Sequence, residues 1–365
     1  MAITNKIKIL MISSSSSLGG GVKQMYTLGK NLSSDFQIFY AIPKNNNFDN
    51  YLNYENHIEI SERKIKLKDI LKLNNYIKKN SIDLIHAHGK GAGVLARILK
   101  LISKKTLIYT FHGIHLKCHK FHERIIYILY EFLLGWIDSK KILVSKSEKK
   151  YAQISKIYLG KKAVVINNGV SNMLQKGSLK VNNYKNQIFQ LTSTNVITIC
   201  RFVGQKNIKE ILKIASFLKG INFYIIGDGP LWKEINNLML EKKLKNVFLL
   251  GKKKNVFKYL YSSDIYLSTS LYEGLPISIL EAMSVGLPVI ASNVIGNCDT
   301  IENGKSGYFY DLNNLNMAIN YLLELDTNKE LRKKFGKEAF IRQRKFFSKD
   351  LMITKHIELY KNQEI

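Results

Sequence analysis

Residues 265–291 have the sequence I-Y-L-S-T-S-L-Y-E-G-L-P-I-S-I-L-E-A-M-S-V-G-L-P-V-I-A. Two short apolar runs, Ile265–Leu267 and Val289–Ala291, flank a longer segment, Ile277–Val285, whose apolar residues recur at helical spacing. Pro276 stands where that helix would begin, because its fixed φ and its missing N–H suit the first helical position. The order strand, helix, strand is typical of a parallel βαβ unit.

The same alternation runs along the rest of the chain. Amphipathic segments such as Gly21–Leu32, Ile208–Leu218 and Leu231–Leu240 predict helices between further short apolar runs. Those runs predict strands at Lys8–Ile12, Gln37–Ala41, Leu84–Ala87, Leu107–Phe111, Lys141–Val144, Ala163–Ile166, Val196–Cys200, Phe223–Ile226 and Val247–Leu250. Because parallel strands joined by helices form doubly wound sheets, we predict an α/β fold with two Rossmann-like domains that face each other across a cleft.

The chain's 365 residues suffice for two domains. Residues 171–192 are polar and lack a clear period, which predicts the interdomain linker there. The N-terminal domain would then span residues 1–170 and the C-terminal domain residues 193–345. Residues 346–365 have apolar side chains at helical spacing, so we expect a helix that packs back on the N-terminal domain.

The composition excludes several classes of protein. A chain that is 45% hydrophobic and 23% charged is neither disordered nor fibrous. The three cysteines, Cys118, Cys200 and Cys298, are too far apart for a disulfide scaffold and fit a reducing compartment. The apolar run Ile9–Ile12 is too short for a signal peptide, and Ile125–Ile137 is shorter than the about 20 residues that cross a bilayer. We therefore predict a cytoplasmic protein.

The chain is strongly basic. Its 56 Lys and Arg residues against 28 Asp and Glu give a net charge of +28, and the excess is greater in the first half. An anionic partner is expected, although a general bias towards lysine remains an alternative. The lysines are scattered over many predicted helices, so a nucleic-acid-binding protein, the alternative from another class, is not favoured.

Two short motifs follow predicted strands, at the edge where α/β sheets bind ligands. Gly19, Gly20 and Gly21 follow the first strand and open a helix, an arrangement that allows close approach of a phosphate to free N–H groups. Arg201 and Lys206 follow the strand that ends at Cys200, and two cations there can hold a diphosphate. Each motif alone is weak evidence for a site.

The stretch E-G-L-P, followed by a second glutamate, is the most specific motif of the chain. Glu273 lies in the loop before the predicted helix, where a carboxylate can accept hydrogen bonds from sugar hydroxyls. Glu281 lies just over one helical turn inside that helix and can accept hydrogen bonds from ribose hydroxyls. Between them, the loop presents unpaired N–H groups at the helix start.

These residues resemble the retaining GT-B-fold glycosyltransferases of the group 1 or family 4 type. The resemblance covers nearly the whole chain. Its motifs are the glycine loop Gly19–Gly21, D-L-I-H-A-H at Asp83–His88, F-H-G at Phe111–Gly113, I-N-N-G-V at Ile166–Val170, R-x4-K at Arg201 and Lys206, G-D-G-P at Gly227–Pro230, the pair Glu273 and Glu281, and G-L-P-V-I-A-S at Gly286–Ser292.

The resemblance implies a role for each matching residue. Arg201 and Lys206 would bind the donor diphosphate, Glu281 the nucleotide ribose, Glu273 the transferred sugar, and His112 the sugar near the reacting carbon. The catalytic residues implied are thus His112, Arg201, Lys206 and Glu273. The donor-binding residues implied are Gly19, Gly20, Gly21, Arg201, Lys206, Gly227, Gly229, Glu273, Gly274, Leu275, Pro276, Ile277 and Glu281.

Three positions depart from the family pattern. Asn167 stands where a proline is usual, Cys200 where a glycine is common and Asp299 where a glutamate is usual, so the donor base and sugar are open. The chain contains no Asp-x-Asp, which argues against a carboxylate-held Mg²⁺ or Mn²⁺. We therefore expect no metal and no cofactor, with cations and helix-start amides stabilising the leaving diphosphate.

The function that we predict is retaining transfer of a hexose from a nucleotide diphosphate sugar to a glycan or lipid-linked acceptor. The setting would be the synthesis of capsule, exopolysaccharide or lipopolysaccharide. A sugar-nucleotide epimerase or a phosphorylase on the same fold is the alternative among enzymes.

Histidines and cations occur together in two places. His86 and His88 alternate at a strand end, so both are expected to line the cleft. A zinc site within residues 112–122 is not favoured, because lysines lie among the histidines. A surface for an anionic membrane or for the acceptor is predicted at His115, Lys117, Lys120 and Arg124, with the protein peripheral on the inner face of the cell membrane. From residue 125 onward, packing of an apolar helix against its own sheet is the favoured interpretation.

Overall fold

The computed structural model describes residues 6–16, 19–44, 56–116, 120–157, 160–173, 189 and 193–363. The chain divides into two compact units. Unit 1 comprises Met1–Asn168 with Asp350–Ile365, and unit 2 comprises Gly169–Lys349. Of the predicted linker, only residues 171–173 and 189 belong to the described part of the chain.

Unit 1 contains a parallel sheet of seven strands. The strands are β1 (Ile7–Ser13), β2 (Phe36–Pro43), β3 (His57–Ile60), β4 (Leu84–His88), β5 (Thr106–Thr110), β6 (Lys140–Leu143) and β7 (Ala163–Val165). The α-helices are α1 (Gly20–Asn31), α2 (Leu67–Lys79), α3 (Lys90–Ser103), α4 (Phe121–Leu134) and α5 (Lys146–Ile154). The strand order β3-β2-β1-β4-β5-β6-β7 reverses direction between β1 and β4, which is where such sheets bind ligands.

Unit 2 contains a parallel sheet of six strands. The strands are β8 (Asn195–Ile199), β9 (Asn222–Ile226), β10 (Val247–Gly251), β11 (Ile265–Ser268), β12 (Val289–Ser292) and β13 (Gly307–Tyr310). The α-helices are α6 (Ile208–Phe217), α7 (Trp232–Glu241), α8 (Phe257–Ser262), α9 (Ile277–Ser284), α10 (Leu315–Thr327) and α11 (Lys329–Phe346). The order β10-β9-β8-β11-β12-β13 reverses between β8 and β11. The two sheets confirm the predicted pair of doubly wound α/β domains.

A last helix, α12 (Lys349–Lys361), follows α11 in the chain. Its Met352, Ile353 and Tyr360 belong to the buried core on one face of the unit 1 sheet, together with Ile9 and Met11 of β1. Strand β1 is an apolar run with both faces covered, as expected for a parallel sheet.

Helix α4 differs from its prediction. Tyr127 and Ile128 pack against the core of unit 1 as expected for an apolar helix on its own sheet. The same expectation is wrong for Ile126, Phe132 and Leu133, whose side chains are 63%, 60% and 60% exposed. The α4 sequence is apolar on most sides, and apolar spacing alone does not say which side faces the protein.

Smaller differences concern element ends. Strands β3 and β13 have no counterpart among the predicted strands. Pro276 is the residue before the first turn of α9, not the first residue of that turn. In the described residues, no helix is both long enough and apolar enough to span a bilayer.

Candidate active site

In unit 2, Glu273 is the centre of a hydrogen-bonded group between the loops that follow β8 and β11. Lys206 ends a short 3-10 turn after β8, and its Nζ donates to Glu273 Oε1. Ser270 Oγ donates to the same oxygen at 2.7 Å. Glu273 is buried, and the side chain of Lys206 is 18% exposed. The two residues predicted to bind sugar and diphosphate are therefore paired with each other.

Further hydrogen bonds hold these two loops together. Leu271 N donates to the Gln205 carbonyl at 2.8 Å, and Gln205 Nε2 donates to the Tyr272 carbonyl at 2.8 Å. Thr269 Oγ1 donates to the Lys206 carbonyl at 2.9 Å. The loops are neighbours because β8 and β11 are adjacent strands of the sheet. The position of the Lys206 ammonium relative to the Glu273 carboxylate is thus fixed by the fold.

Helix α9 begins directly beside this group. Leu275, Pro276 and Ile277 are buried, and so is Glu281 one turn inside the helix. The N–H groups of the first turn of α9 have no carbonyl partner within the helix, so they can receive a phosphate or a sugar oxygen. A Cβ on Gly296 would lie 2.5 Å from the Gly274 carbonyl oxygen, which explains the glycine in the neighbouring loop.

Arg201 and Cys200 follow β8 immediately. Arg201 is exposed, so its guanidinium can reach an anionic ligand. Burial, opposed by Lys206 and reinforced by the Glu273 carboxylate, raises the pKa of the Cys200 thiol to about 12. The thiol is therefore protonated at neutral pH and is a poor nucleophile.

Gly227 and Gly229 have a structural explanation. A Cβ on Gly227, whose φ is +144°, would lie 1.7 Å from the Cys200 carbonyl oxygen. A Cβ on Gly229 would lie 2.7 Å from the Phe202 carbonyl oxygen. The loop after β9 therefore packs backbone to backbone against the loop that carries Arg201. These glycines shape that loop whether or not they touch a donor.

In unit 1, His112 follows β5 and contacts two other elements. Its Nε2 lies 2.9 Å from His88 Nδ1 at the end of β4, and the two rings are stacked. His112 has a φ of +58°. A Cβ on Gly21 would lie 2.9 Å from His112 Cγ, so the glycine lets the start of α1 approach the imidazole closely. The Gly19–Gly21 loop therefore belongs to the histidine site of unit 1, whereas the other predicted donor residues lie in unit 2.

Two further histidines lie beside this pair. His86 Nδ1 lies 2.6 Å from the hydroxyl of Tyr360 on α12, and its Nε2 lies 2.8 Å from Thr110 Oγ1. His356, also on α12, donates from Nδ1 to the Met352 carbonyl at 2.8 Å. His86 is thus a fully buried residue of unit 1, and the expectation that it lines a cleft is wrong.

Burial keeps these imidazoles neutral. It lowers the pKa of His112 to about 3 and that of His356 to about 4, and it places the pKa values of His86 and His88 well below the ordinary range. His88 Nε2 and His112 Nδ1 are buried, and neither has a hydrogen-bond partner among the described residues. Each is therefore a hydrogen-bonding atom that the described protein residues leave unsatisfied.

A small pocket opens at this end of the unit 1 sheet. Its lining combines apolar side chains, such as Ile142 and Met352, with the polar residues Gln24, His88, Thr110, His112, Asn167, Asn168 and His356. Neutral imidazoles and amides are donors and acceptors without charge, so the polar part of this small lining can hydrogen-bond to a single hydroxyl group. No group of three or more His, Cys, Asp or Glu residues in the described chain is arranged to hold a metal ion.

Of the residues predicted for a membrane or acceptor surface, the three that the structure describes do not line this pocket. Lys120 and Arg124 lie at the start of α4, where Lys120 is exposed and Arg124 is half-buried. His115 is half-buried in the loop before α4, and Lys117 lies outside the described residues.

Comparisons with known proteins agree with this architecture. The family model described as Glycosyltransferase Family 4 matches residues 18–172, and that described as Glycosyl transferases group 1 matches residues 182–342. The chain is 30% identical over 276 residues to an uncharacterised glycosyltransferase of Methanocaldococcus jannaschii, covering 74% of this chain and 73% of that protein. The chain therefore belongs to the group 1, family 4 glycosyltransferases.

Two other similarities are informative. The chain is 29% identical over 283 residues to the UDP-Gal:alpha-D-GlcNAc-diphosphoundecaprenol alpha-1,3-galactosyltransferase of Escherichia coli, covering 73% of this chain and 72% of the relative. The structure of Anabaena HepE in complex with UDP and glucose superposes with a TM-score of 0.86 at 17% identity, covering 98% of this chain and all of HepE. Further relatives are glycosyltransferases of capsule, amylovoran and O-antigen synthesis. The GT-B fold class predicted from the sequence is confirmed.

Proposed function

We propose that this glycosyltransferase moves a hexose, with retention of the anomeric configuration, from a nucleoside diphosphate sugar to a lipid-linked or glycan acceptor. The reaction would serve the synthesis of a cell-surface polysaccharide, at the inner face of the cell membrane. The relative from Escherichia coli is named for a UDP-galactose donor and a diphosphoundecaprenol acceptor, and HepE binds UDP and glucose. Both names support a donor and an acceptor of these classes for the present chain.

The observation that carries the proposal is the group formed by Lys206, Glu273 and the start of α9. A buried carboxylate, a cation and helix-start amides that have no carbonyl partner within the helix lie together where the unit 2 sheet reverses direction. A diphosphate accepts hydrogen bonds from the amides and cations, while sugar hydroxyls donate to the carboxylate. Because the Glu273 carboxylate already holds the Lys206 ammonium in place, the diphosphate of the donor would meet a cation whose position is fixed.

In the proposed step the bond between the anomeric carbon and the β-phosphate oxygen breaks, and the acceptor oxygen bonds to that carbon on the same face. The acceptor proton passes to the departing phosphate oxygen, so charge and atoms balance without an enzymatic nucleophile. Arg201, Lys206 and the α9 amides stabilise the negative charge that develops on the nucleoside diphosphate. His112 would hold the sugar through its unpaired Nδ1. We propose that the reaction needs no metal ion.

The donor is tested first by thermal shift with UDP-, GDP- and ADP-sugars and then by mass spectrometry of the products. Glu281→Ala should weaken donor binding at least tenfold, because a buried carboxylate that accepts ribose hydroxyls is lost. Arg201→Ala should lower turnover about 100-fold with a smaller effect on donor affinity. Lys305→Ala removes an exposed cation of unit 2 that pairs only at the surface, and it serves as the control.

Several results would contradict the proposal. Unchanged turnover in Arg201→Ala would refute the role of Arg201 in stabilising the diphosphate. A β-linked product from an α-linked donor would refute retention of the anomeric configuration. Activity that is lost with a chelator and restored by Mg²⁺ would remove metal independence. Product formed from donor alone would indicate an epimerase, and product that requires inorganic phosphate would indicate a phosphorylase.

A further inference from the structure

Helix α4 turns its apolar side chains towards solvent. Glu131, in the middle of the helix, is 1% exposed, whereas nearly all of the large apolar residues are exposed. Seven of them, here called the α4 apolar face, are Phe121 (77%), Ile125 (42%), Ile126 (63%), Leu129 (52%), Phe132 (60%), Leu133 (60%) and Trp136 (59%). The usual amphipathic arrangement of a surface helix, with polar residues outside, is thus inverted.

The α4 apolar face is continuous. At 3.6 residues per turn, its six members within the helix fall in an arc of about 140°, in which His122 is the one polar position. Helix α4 has 14 residues and is therefore about 21 Å long. An exposed apolar stripe of this length is rare on a protein that remains free in solution, and it marks an interaction surface.

Buried ion pairs fix the other side of α4 against the protein. Arg97 of α3 donates through Nη2 to Glu131 Oε2 at 2.7 Å and to Asp138 Oδ2 at 2.6 Å. Lys90 Nζ lies 3.7 Å from the ring centre of Tyr127. Rotation of α4 to bury its apolar face would break the buried Arg97–Glu131 pair and leave Arg97 with Asp138 alone, and removing one partner of a buried ion pair costs up to about 3–5 kcal/mol. The face must therefore be covered from outside the unit.

We propose that the α4 apolar face inserts into the headgroup region of an anionic lipid bilayer. Aromatic and aliphatic side chains on one helix face, including a tryptophan, are suited to the boundary between headgroups and acyl chains. Exposed cations flank the face at both ends, namely Lys120 before the first turn and Lys162, whose Nζ donates to the Trp136 carbonyl at 3.3 Å. A net charge of +28 adds a long-range attraction to anionic lipid.

The position of α4 relates this surface to the histidine pocket. Strand β5 ends at Thr110 and is followed by His112, and α4, the next helix along the chain, starts at Phe121. The first turn of α4 and the pocket therefore follow the same end of the sheet. Membrane insertion of α4 would bring the pocket to the lipid surface, and this consequence rests on the proposed lipid-linked acceptor. The binding of lipid itself does not depend on that proposal.

The first experiment determines whether the Trp136 side chain enters the bilayer. The chain has two tryptophans, so Trp232→Phe leaves Trp136 as the reporter. This variant is mixed with vesicles of phosphatidylglycerol and phosphatidylethanolamine, with and without brominated acyl chains. We expect a blue shift of the emission and quenching by bromine. Emission that stays unshifted and unquenched at saturating lipid would overturn the proposal.

The second experiment replaces apolar side chains of the α4 apolar face with polar ones. The triple variant Ile126→Gln, Phe132→Gln, Leu133→Gln should lower co-sedimentation with the same vesicles at least tenfold. The matched control is Phe217→Gln with Leu240→Gln, which are 69% and 62% exposed in unit 2 and should bind like the wild type. Equal binding by the triple variant and the wild type would refute insertion through α4.

Two readouts distinguish lipid binding from self-association and from misfolding of the variant. A stable dimer of the wild type in lipid-free sedimentation velocity that dissociates in the triple variant would identify a second copy as the occupant and overturn the proposal. A far-UV circular dichroism spectrum and a urea-unfolding midpoint of unit 1, followed by Trp136 emission, that match the wild type show that the fold of the triple variant is intact, so that its loss of lipid binding supports the proposal. If the wild type binds vesicles through α4 but transfers no sugar, the lipid-binding surface is supported and the proposed function is refuted.

Discussion

Acid should destabilise unit 1 through the histidines buried around α12, and His356 gives the clearest case. Burial holds its pKa at about 4 in the folded protein, against an ordinary value of 6.5. In the unfolded chain His356 therefore takes up a proton as the pH falls through 6.5, whereas in the folded protein it takes up that proton only near pH 4. The stabilisation is complete above pH 6.5 and is lost as the pH falls through this window.

The two pKa values give the magnitude. Between pH 7 and pH 5, the free energy of unfolding should fall by about 1.8 kcal/mol through His356 alone. In His356→Gln, the amide can still donate to the Met352 carbonyl, but no proton is taken up. The variant should therefore lose about 1.8 kcal/mol less than the wild type over the same pH change.

Urea unfolding at pH 7 and pH 5 measures this difference. Trp136 reports on unit 1 when the second tryptophan is removed by Trp232→Phe in both proteins. The matched control is His122→Gln, because His122 is exposed on α4 and remains in contact with water in the folded state. If His356→Gln and the wild type lose the same free energy on acidification, the buried neutral state of His356 is refuted.

Two glycine substitutions, Gly227→Ala and Gly21→Ala, test the loops of the two sites, and a third, Gly204→Ala, is the control. Gly227→Ala should cost at least about 3 kcal/mol in chemical unfolding, because the new Cβ meets the Cys200 carbonyl oxygen at 1.7 Å and φ is +144°. Gly204→Ala, with no atom within 4 Å of its Cβ, should change stability by less than about 0.5 kcal/mol, and a similar cost for both would be contrary to this account. Gly21→Ala should lower kcat about tenfold and leave UDP affinity unchanged, because its Cβ would lie 2.9 Å from His112 Cγ. Steady-state kinetics with a UDP titration measures both, and an unaltered kcat would show that the His112 position is not critical.

Strands could be predicted where burial is complete on both faces. Strand β1, I-K-I-L-M-I-S, is apolar from Ile9 to Ile12 and buried from Ile9 onward, and β4 is buried throughout. Strand β3, with the sequence H-I-E-I, lies at the edge of its sheet and alternates between buried and exposed residues over four positions. Such a short alternating segment cannot be distinguished from a loop by periodicity alone.

The sequence singles out each candidate site residue of unit 2 but does not show which of them pair. Lys206 and Glu273 are 67 positions apart, and their contact follows from β8 and β11 being neighbours, which the order of strands in the sequence does not state. No sequence pattern singles out His356 as a buried residue, because a histidine on a C-terminal amphipathic helix is usually a surface residue. Its role follows from the return of α12 to unit 1, where Tyr360 contacts His86 across 274 positions.

Helix α4 shows why a hydrophobic pattern leaves orientation undetermined. Apolar residues surround the helix, so the position of its few charged residues decides which side faces the protein. Glu131 would ordinarily mark the solvent side, but Arg97 on α3 supplies a buried partner that holds it inside. The pairing of two charges far apart in the sequence thus sets which residues remain outside, and those residues form the surface that we assign to the membrane. Whether α4 is a core helix or an interfacial helix is therefore decided by one buried ion pair and not by its hydrophobicity.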